Sequence, residues 1–161
     1  MSSKRLETAK KYISMFATLD TTLLSSVLAD SAAHTFAPAS LGMSREPLDK
    51  STFVHHISSL REIMTGFPVY AKQYIESESS NSVVVWATSK TQFREDVKDE
   101  GEGVDWDYEG EYVFMFWMDE SGEKIVRTVE FLDSLKTEGL RGVMKRARAN
   151  REKRLGKEGK A

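Results

Sequence analysis

The chain has 161 residues, 40% hydrophobic and 30% charged, with a formal net charge of −2. That length supports one domain with a single core and is short for two, and no apolar run approaches the ~20 residues of a membrane span. The absence of cysteine excludes a disulfide framework, a thiolate nucleophile and a cysteine metal site, and the three histidines (His34, His55, His56) are too scattered for a zinc constellation, so no metal is expected.

The opening Met-Ser-Ser-Lys-Arg-Leu-Glu has no apolar signal region, and a cytoplasmic protein is the expectation. Leu6, Ala9, Ile13, Phe16 and Leu19 recur at helical spacing, which predicts an amphipathic helix over 4–19. Asp20 caps a second short helix through Leu23, Leu24, Val27 and Leu28. Residues 32–37 read as a short strand, and the proline and glycine of Pro38-Ala39-Ser40-Leu41-Gly42 mark a loop. A third helix starts at Asp49 or Ser51, carries the stripe Phe53, Ile57, Leu60 and Met64, and stops at Gly66. Strands follow over 69–77 and 83–93, parted by a polar turn at 78–82. The acidic run from Glu95 to Asp107 lacks the register of a calcium loop and reads as a mobile, self-repelling linker. A hairpin comes next, with halves at 108–118 and 124–133 joined by Asp119-Glu120-Ser121-Gly122, and then a final helix after Ser134.

Charge is unevenly spread. Residues 136–161 hold ten Lys/Arg against three Asp/Glu (+7), and the rest hold thirteen against twenty-two (−9). The basic tail has no aromatic residue for base stacking, so nucleic acid is not an expected partner; residues 141–161 read as a solvated helix that frays, appended to a domain over 1–140. Helices first and antiparallel strands after predict an α+β fold, a mixed, mainly antiparallel sheet curled around the N-terminal helices into a cone with one open end.

Strict alternation along the hairpin puts Tyr112, Phe114, Phe116 and Met118 on one face with Ile125, Arg127, Val129, Phe131 and Asp133. A greasy face carrying a few isolated polar groups suits a ligand pocket, because such groups must be paired or reactive. The opposite face, with Val113, Met115, Trp117 and Trp86 of the neighbouring strand, is too apolar for a free surface and is expected to form a two-fold, sheet-on-sheet homodimer.

Several phrases carry a resemblance: Leu28-Ala29-Asp30, His34 followed by Pro38-Ala39-Ser40-Leu41-Gly42, Phe67-Pro68-Val69, Gly110-Glu111-Tyr112, Gly122-Glu123-Lys124-Ile125, and Val129-Glu130-Phe131-Leu132-Asp133-Ser134. Together with the element order, over roughly residues 5–140, they resemble the SnoaL-like polyketide cyclases of the nuclear-transport-factor-like fold, and the small fungal members of polyketide and meroterpenoid pathways above all. The resemblance implies an isomerase, cyclase or dehydratase that works by acid–base catalysis without a cofactor on an aromatic or polycyclic intermediate. The alternatives on the same fold are a carrier that binds without turnover and a protein-interaction module. Ketosteroid isomerase shares the fold, but Phe114 and Ala37 stand where its oxyanion-hole aspartate and its base would fall, so a steroid-isomerase mechanism is not expected.

The expected catalytic residues are His34, Asp133, Arg127 and Tyr112. His34 near the cone mouth suits proton transfer near neutrality, the alternative being a rim histidine bonded to a backbone carbonyl. Asp133 shuttles a proton from an apolar wall, or caps the following helix. Arg127 anchors an enolate or carboxylate, or pairs internally with Asp133. Tyr112 hydrogen-bonds a carbonyl oxygen, with Tyr70 or Tyr74 as neighbours, or bonds locally as buried tyrosines do. Phe114, Phe116, Met118, Val129 and Phe131 form the expected walls. His56 leans inward where His55 faces solvent, and Glu130 faces outward unless a bulge turns it in.

Overall fold

The computed structural model describes residues 1–160. Three helices precede most of the sheet: α1 (Lys4–Met15), α2 (Thr21–Val27) and α3 (Lys50–Leu60). Each has a side-chain cap: Ser3 accepts from the Leu6 N–H, Asp20 from Leu23 and Asp49 from Thr52. Each cap satisfies an amide with no partner inside its helix. The first helix is shorter than its periodicity predicts, with turns over 16–19 and Leu19 at φ 54°.

The strands are β1 (Leu28–Ala37), β2 (Leu48–Asp49), β3 (Met64–Gly66), β4 (Val69–Ser77), β5 (Ser82–Lys90), β6 (Gln92–Phe93), β7 (Glu109–Met118) and β8 (Ile125–Leu132). Six of them form one sheet in the order β2-β1-β8-β7-β5-β4, and β3 pairs with β6 separately. Every pairing is antiparallel except β1 with β8, which is parallel, so the sheet is mixed. The fold is α+β, as expected. Two segments differ from the sequence reading: α3 ends at Leu60, before β3, and the second long strand breaks at Thr91 into β5 and β6. No helix of the described residues is long and apolar enough to cross a membrane.

The concave side of the sheet packs on α1 and α3. Tyr12, Phe53, Phe114 and Phe116 are fully buried there, with the Tyr12 and Phe116 rings 4.7 Å apart. Aromatic pairs at such spacing add about 0.5–1.5 kcal/mol each to their burial.

The hairpin contains the irregularity that decides which side chains face this interior. Met118 pairs with Ile125 but Trp117 pairs with Arg127, so one step on β7 meets two on β8. Val126 is the extra residue of a bulge, and past it the alternation reverses. Ile125 faces inward and so do Thr128, Glu130 and Leu132, opposite Phe116, Phe114 and Tyr112. Arg127, Val129 and Phe131 share the outer face with Trp117, Met115 and Val113.

The last helix, α4 (Ser134–Glu158), is continuous across residue 140 and lies against the body of the domain. The expected fraying tail is corrected: the Arg146 fork grips both oxygens of Asp99 at 2.7 and 2.8 Å, and Asn150 donates to Asp99 and to the Val97 carbonyl. Arg148 reaches Glu62 at 3.3 Å, and Arg154 reaches Asp96 at 3.4 Å. The acidic linker is therefore held against the last helix, with Asp96 and Asp99 as counter-charges of Arg154 and Arg146. Arg146, Asn150 and the Gly101 N–H hold the Asp99 carboxyl well below the usual carboxylate range.

Candidate active site

Between the curled sheet, α3 and α4 lies a mostly apolar chamber of about 100 Å³. Phe53, His56, Ile57 and Leu60 of α3 form one side, and Phe36, Tyr112, Glu130 and Leu132 of the sheet form another. Thr137, Leu140, Arg141 and Met144 of α4 cover it.

Glu130 is the acidic group of the chamber. It is only 7% exposed, turned inward by the bulge at Val126. His34 lies behind it at 3.3 Å from a carboxylate oxygen, although neither ring nitrogen makes an aligned hydrogen bond. The His34 imidazole stacks on Phe53 at 3.8 Å and 11°, so the phenyl ring separates it from the chamber. His34 is thus a wall residue, neither rim-facing nor able to touch a ligand directly.

His56 lines the chamber itself, edge-on to Phe36 at 5.6 Å. Burial lowers its pKa below the usual histidine value, and nearby His34, Arg148 and His55 push the same way, while the Glu130 carboxylate opposes them. His55 is exposed, as its neighbour's inward lean requires.

Tyr112 projects into the chamber from β7, and its hydroxyl bonds the buried Ser89 hydroxyl at 2.9 Å. Burial raises its pKa, so it stays a neutral phenol that can donate a hydrogen bond. Gly110 makes room for it: a Cβ there would lie 2.3 Å from the Tyr112 hydroxyl oxygen. Tyr12, reaching in from α1, has a fully buried hydroxyl with no hydrogen-bond partner among the described residues.

Several expected site residues lie elsewhere. Arg127 is exposed on the outer face, its guanidinium 4.3 Å from the Trp117 ring centre, because the bulge reverses the alternation that was expected to turn it inward. Asp133 is also exposed and accepts from the Leu135 and Lys136 N–H groups as the cap of α4. No internal pair links the two. Val129 and Phe131 lie on the outer face for the same reason as Arg127, with Phe131 47% exposed. Tyr70 is 56% exposed on β4. Phe114, Phe116 and Met118 do point inward, but they are packed core and not chamber wall.

The sequence reading missed the contribution of α4, having ended the domain at residue 140. The signal was present: Leu140, Val143, Met144 and Ala147 follow i, i+3, i+4, i+7.

No protein-family model matches the chain, and no curated protein does. Solved structures do. AusH from Aspergillus nidulans superposes with a TM-score of 0.68 at 23% identity, over 81% of this chain and 84% of its own. The BvnE pinacolase from Penicillium brevicompactum gives 0.73 at 19% identity, over 89% and 96%. PrhC from Penicillium brasilianum gives 0.71 at 15%, over 91% and 89%. A protein from Burkholderia pseudomallei described as NTF2-like also matches, at a TM-score of 0.64. The chain has the nuclear-transport-factor-like cone fold. Its cone is the one the SnoaL-like resemblance implied, and the chamber occupies the interior of that cone, beneath α4.

Proposed function

We infer that the chain is an acid–base isomerase or cyclase that enolises an aromatic or polycyclic ketone of secondary metabolism, belonging to the SnoaL-like family. The observation that carries this reading is that Glu130 and His56, two groups able to exchange protons, face one apolar chamber with the neutral Tyr112 hydroxyl. Glu130 removes the proton α to a carbonyl, and His34 is a positioning residue that steadies its carboxylate from behind. Tyr112 donates to the oxygen on which enolate charge develops, where a preorganised donor in a dry site is most effective. The proton now on Glu130 returns to another carbon of the skeleton, relayed through the neutral His56 imidazole, so both side chains end in their starting states. This chain's own side chains carry every transfer in that scheme. Isomerisation, aldol cyclisation and dehydration share such an enolate, and the fold neighbours include a protein named as a pinacolase and one described as an isomerase.

A ligand of two or three rings needs more than the chamber's 100 Å³, since small-molecule sites run to about 300–1,000 Å³. In this reading α4 is the wall that yields, because it is tied to the body by side-chain packing and ion pairs and not by sheet pairing.

Hydrogen–deuterium exchange at the α-carbon of 2-tetralone in D2O, followed by NMR, tests enolisation without knowledge of the natural substrate. The wild type should accelerate exchange over buffer, and Glu130→Gln should lose about 10²-fold or more of that acceleration. Tetralone binding with exchange no faster than buffer would instead identify a carrier.

A further inference from the structure

Arg141 is the one Lys or Arg among the described residues that line the chamber, and no ligand role has been required of it so far. It projects from α4 at the covered end. There its Nη2 donates to the Leu41 carbonyl and its Nη1 donates to Glu138, one turn earlier on the same helix, at 2.7 Å. Two of five N–H groups are thereby used. The Glu138 side chain is 61% exposed, so this pair is a weak, solvated one that a better acceptor displaces. Arg141 itself is 38% exposed, set in a wall whose neighbours Leu140, Met144 and Met43 are apolar. The buried acid of the site, Glu130, is already met by His34 and makes no contact with Arg141 within salt-bridge distance. The chamber is thus polarised. It offers the Glu130 carboxylate and the His56 imidazole inside, an apolar middle, and at the α4 end a planar cation with unengaged donors.

We propose that Arg141 selects substrates bearing an anionic oxygen, a carboxylate or an acidic phenol, held at the α4 end while the ring system lies toward Glu130. This specificity role rests on the chamber being the ligand site. A guanidinium presents parallel N–H groups that match a carboxylate's two oxygens, a fit a lysine ammonium does not reproduce. Glu138 acts as the internal occupant of that fork until the ligand replaces it. The same orientation places the carbon skeleton, and not the acid group, against the proton-transfer residues.

Calorimetric titration with 2-naphthoate and its neutral counterpart 2-naphthylmethanol tests this, because the two share a ring body and differ at the head group. Wild type should bind the carboxylate about tenfold tighter than the alcohol. Arg141→Gln should bring the ratio to about one while leaving affinity for the alcohol within about twofold, and Arg141→Lys should fall between. Glu138→Gln, by removing the competing carboxylate, should tighten naphthoate about twofold and leave the alcohol unchanged. Arg127→Ala, on the outer face, should leave the ratio as in wild type and excludes surface capture of the anion. A merely structural tether to Leu41 would shift both probes alike. Equal affinities in wild type, or a preference that survives Arg141→Gln, overturns the assignment while leaving the chamber as a binding site. Failure of both probes to bind wild type overturns the chamber as a binding site for two-ring ligands and this assignment with it.

Discussion

Phe53→Ala tests the partition between His34 and the chamber. The phenyl ring is 1% exposed, stacked on His34 at 3.8 Å, parallel to Tyr12 at 6.4 Å and tilted against Phe36 at 6.4 Å. It is also the shared wall between the 100 Å³ chamber and a space of about 10 Å³ beside His34. Truncating a buried phenylalanine costs about 3–5 kcal/mol, from lost burial and from the void that neighbours fail to fill. For a chain of this length that lowers Tm by roughly 10 °C and the urea midpoint by about 2 M, with the m-value unchanged. Urea unfolding followed by tryptophan fluorescence reads both numbers. The space the ring vacates is bounded mainly by apolar side chains, with His34 and Glu130 at its polar edge, so saturating benzene should restore part of the lost stability in the variant and much less in wild type. A loss under about 1 kcal/mol, or an equal benzene effect in both proteins, would refute the claim that this ring is a packed partition.

The remaining expectations address the site and the sheet. Arg127→Ala should leave tetralone exchange within twofold of wild type, whereas Asp133→Ala should cost about 1 kcal/mol of stability as a lost helix cap, with exchange per folded molecule unchanged. His56 has a folded pKa below its unfolded value of about 6.5, so its contribution to stability is full above that pH and is lost as pH falls toward the folded pKa; the urea stability of wild type should therefore fall relative to His56→Gln on going from pH 7.5 to 5.5, and a constant difference would refute it. Gly110→Ala drives a methyl to 2.3 Å from the Tyr112 hydroxyl; it should suppress exchange as strongly as Tyr112→Phe, and activity like wild type would show that this hydroxyl takes no part. The outer face, with Trp86 43% and Phe131 47% exposed beside Val113 and Met115, is proposed to pair two copies. Sedimentation should give about twice 18.2 kDa for wild type and 18.2 kDa for Val113→Asp.

Helix caps, strand positions and the α+β order were legible because each depends on a few neighbouring residues. Asp20 and Asp49 cap helices from the positions the sequence offered, and alternation along β7 placed Tyr112, Phe114, Phe116 and Met118 inward. What failed was parity across the hairpin. The sequence from Lys124 to Asp133 alternates cleanly on paper, and nothing in Val126 marks it as the unpaired residue; the bulge falls where β8 shifts register against both β7 and β1, a pairing that local sequence does not show. Arg127 and Asp133 were therefore assigned to the interior, and Glu130 needed the bulge to get there. The docking of α4 was readable in principle, since its apolar stripe and its excess of positive charge both asked for a partner, and the acidic segment at 95–107 holds the matching charge. Reading each charged stretch alone hides the pairs that Asp99 and Asp96 make with Arg146 and Arg154.

The single extra residue at Val126 has an evolutionary corollary. Inserting or deleting one amino acid in β8 exchanges the inward trio Thr128, Glu130 and Leu132 for Arg127, Val129 and Phe131 on the interior face, with the backbone path almost preserved. A lineage can thus replace its reactive groups wholesale by one indel, a larger chemical step than any point substitution there. Gap-free pairing of such hairpins between distant homologues would equate interior positions of one protein with surface positions of another.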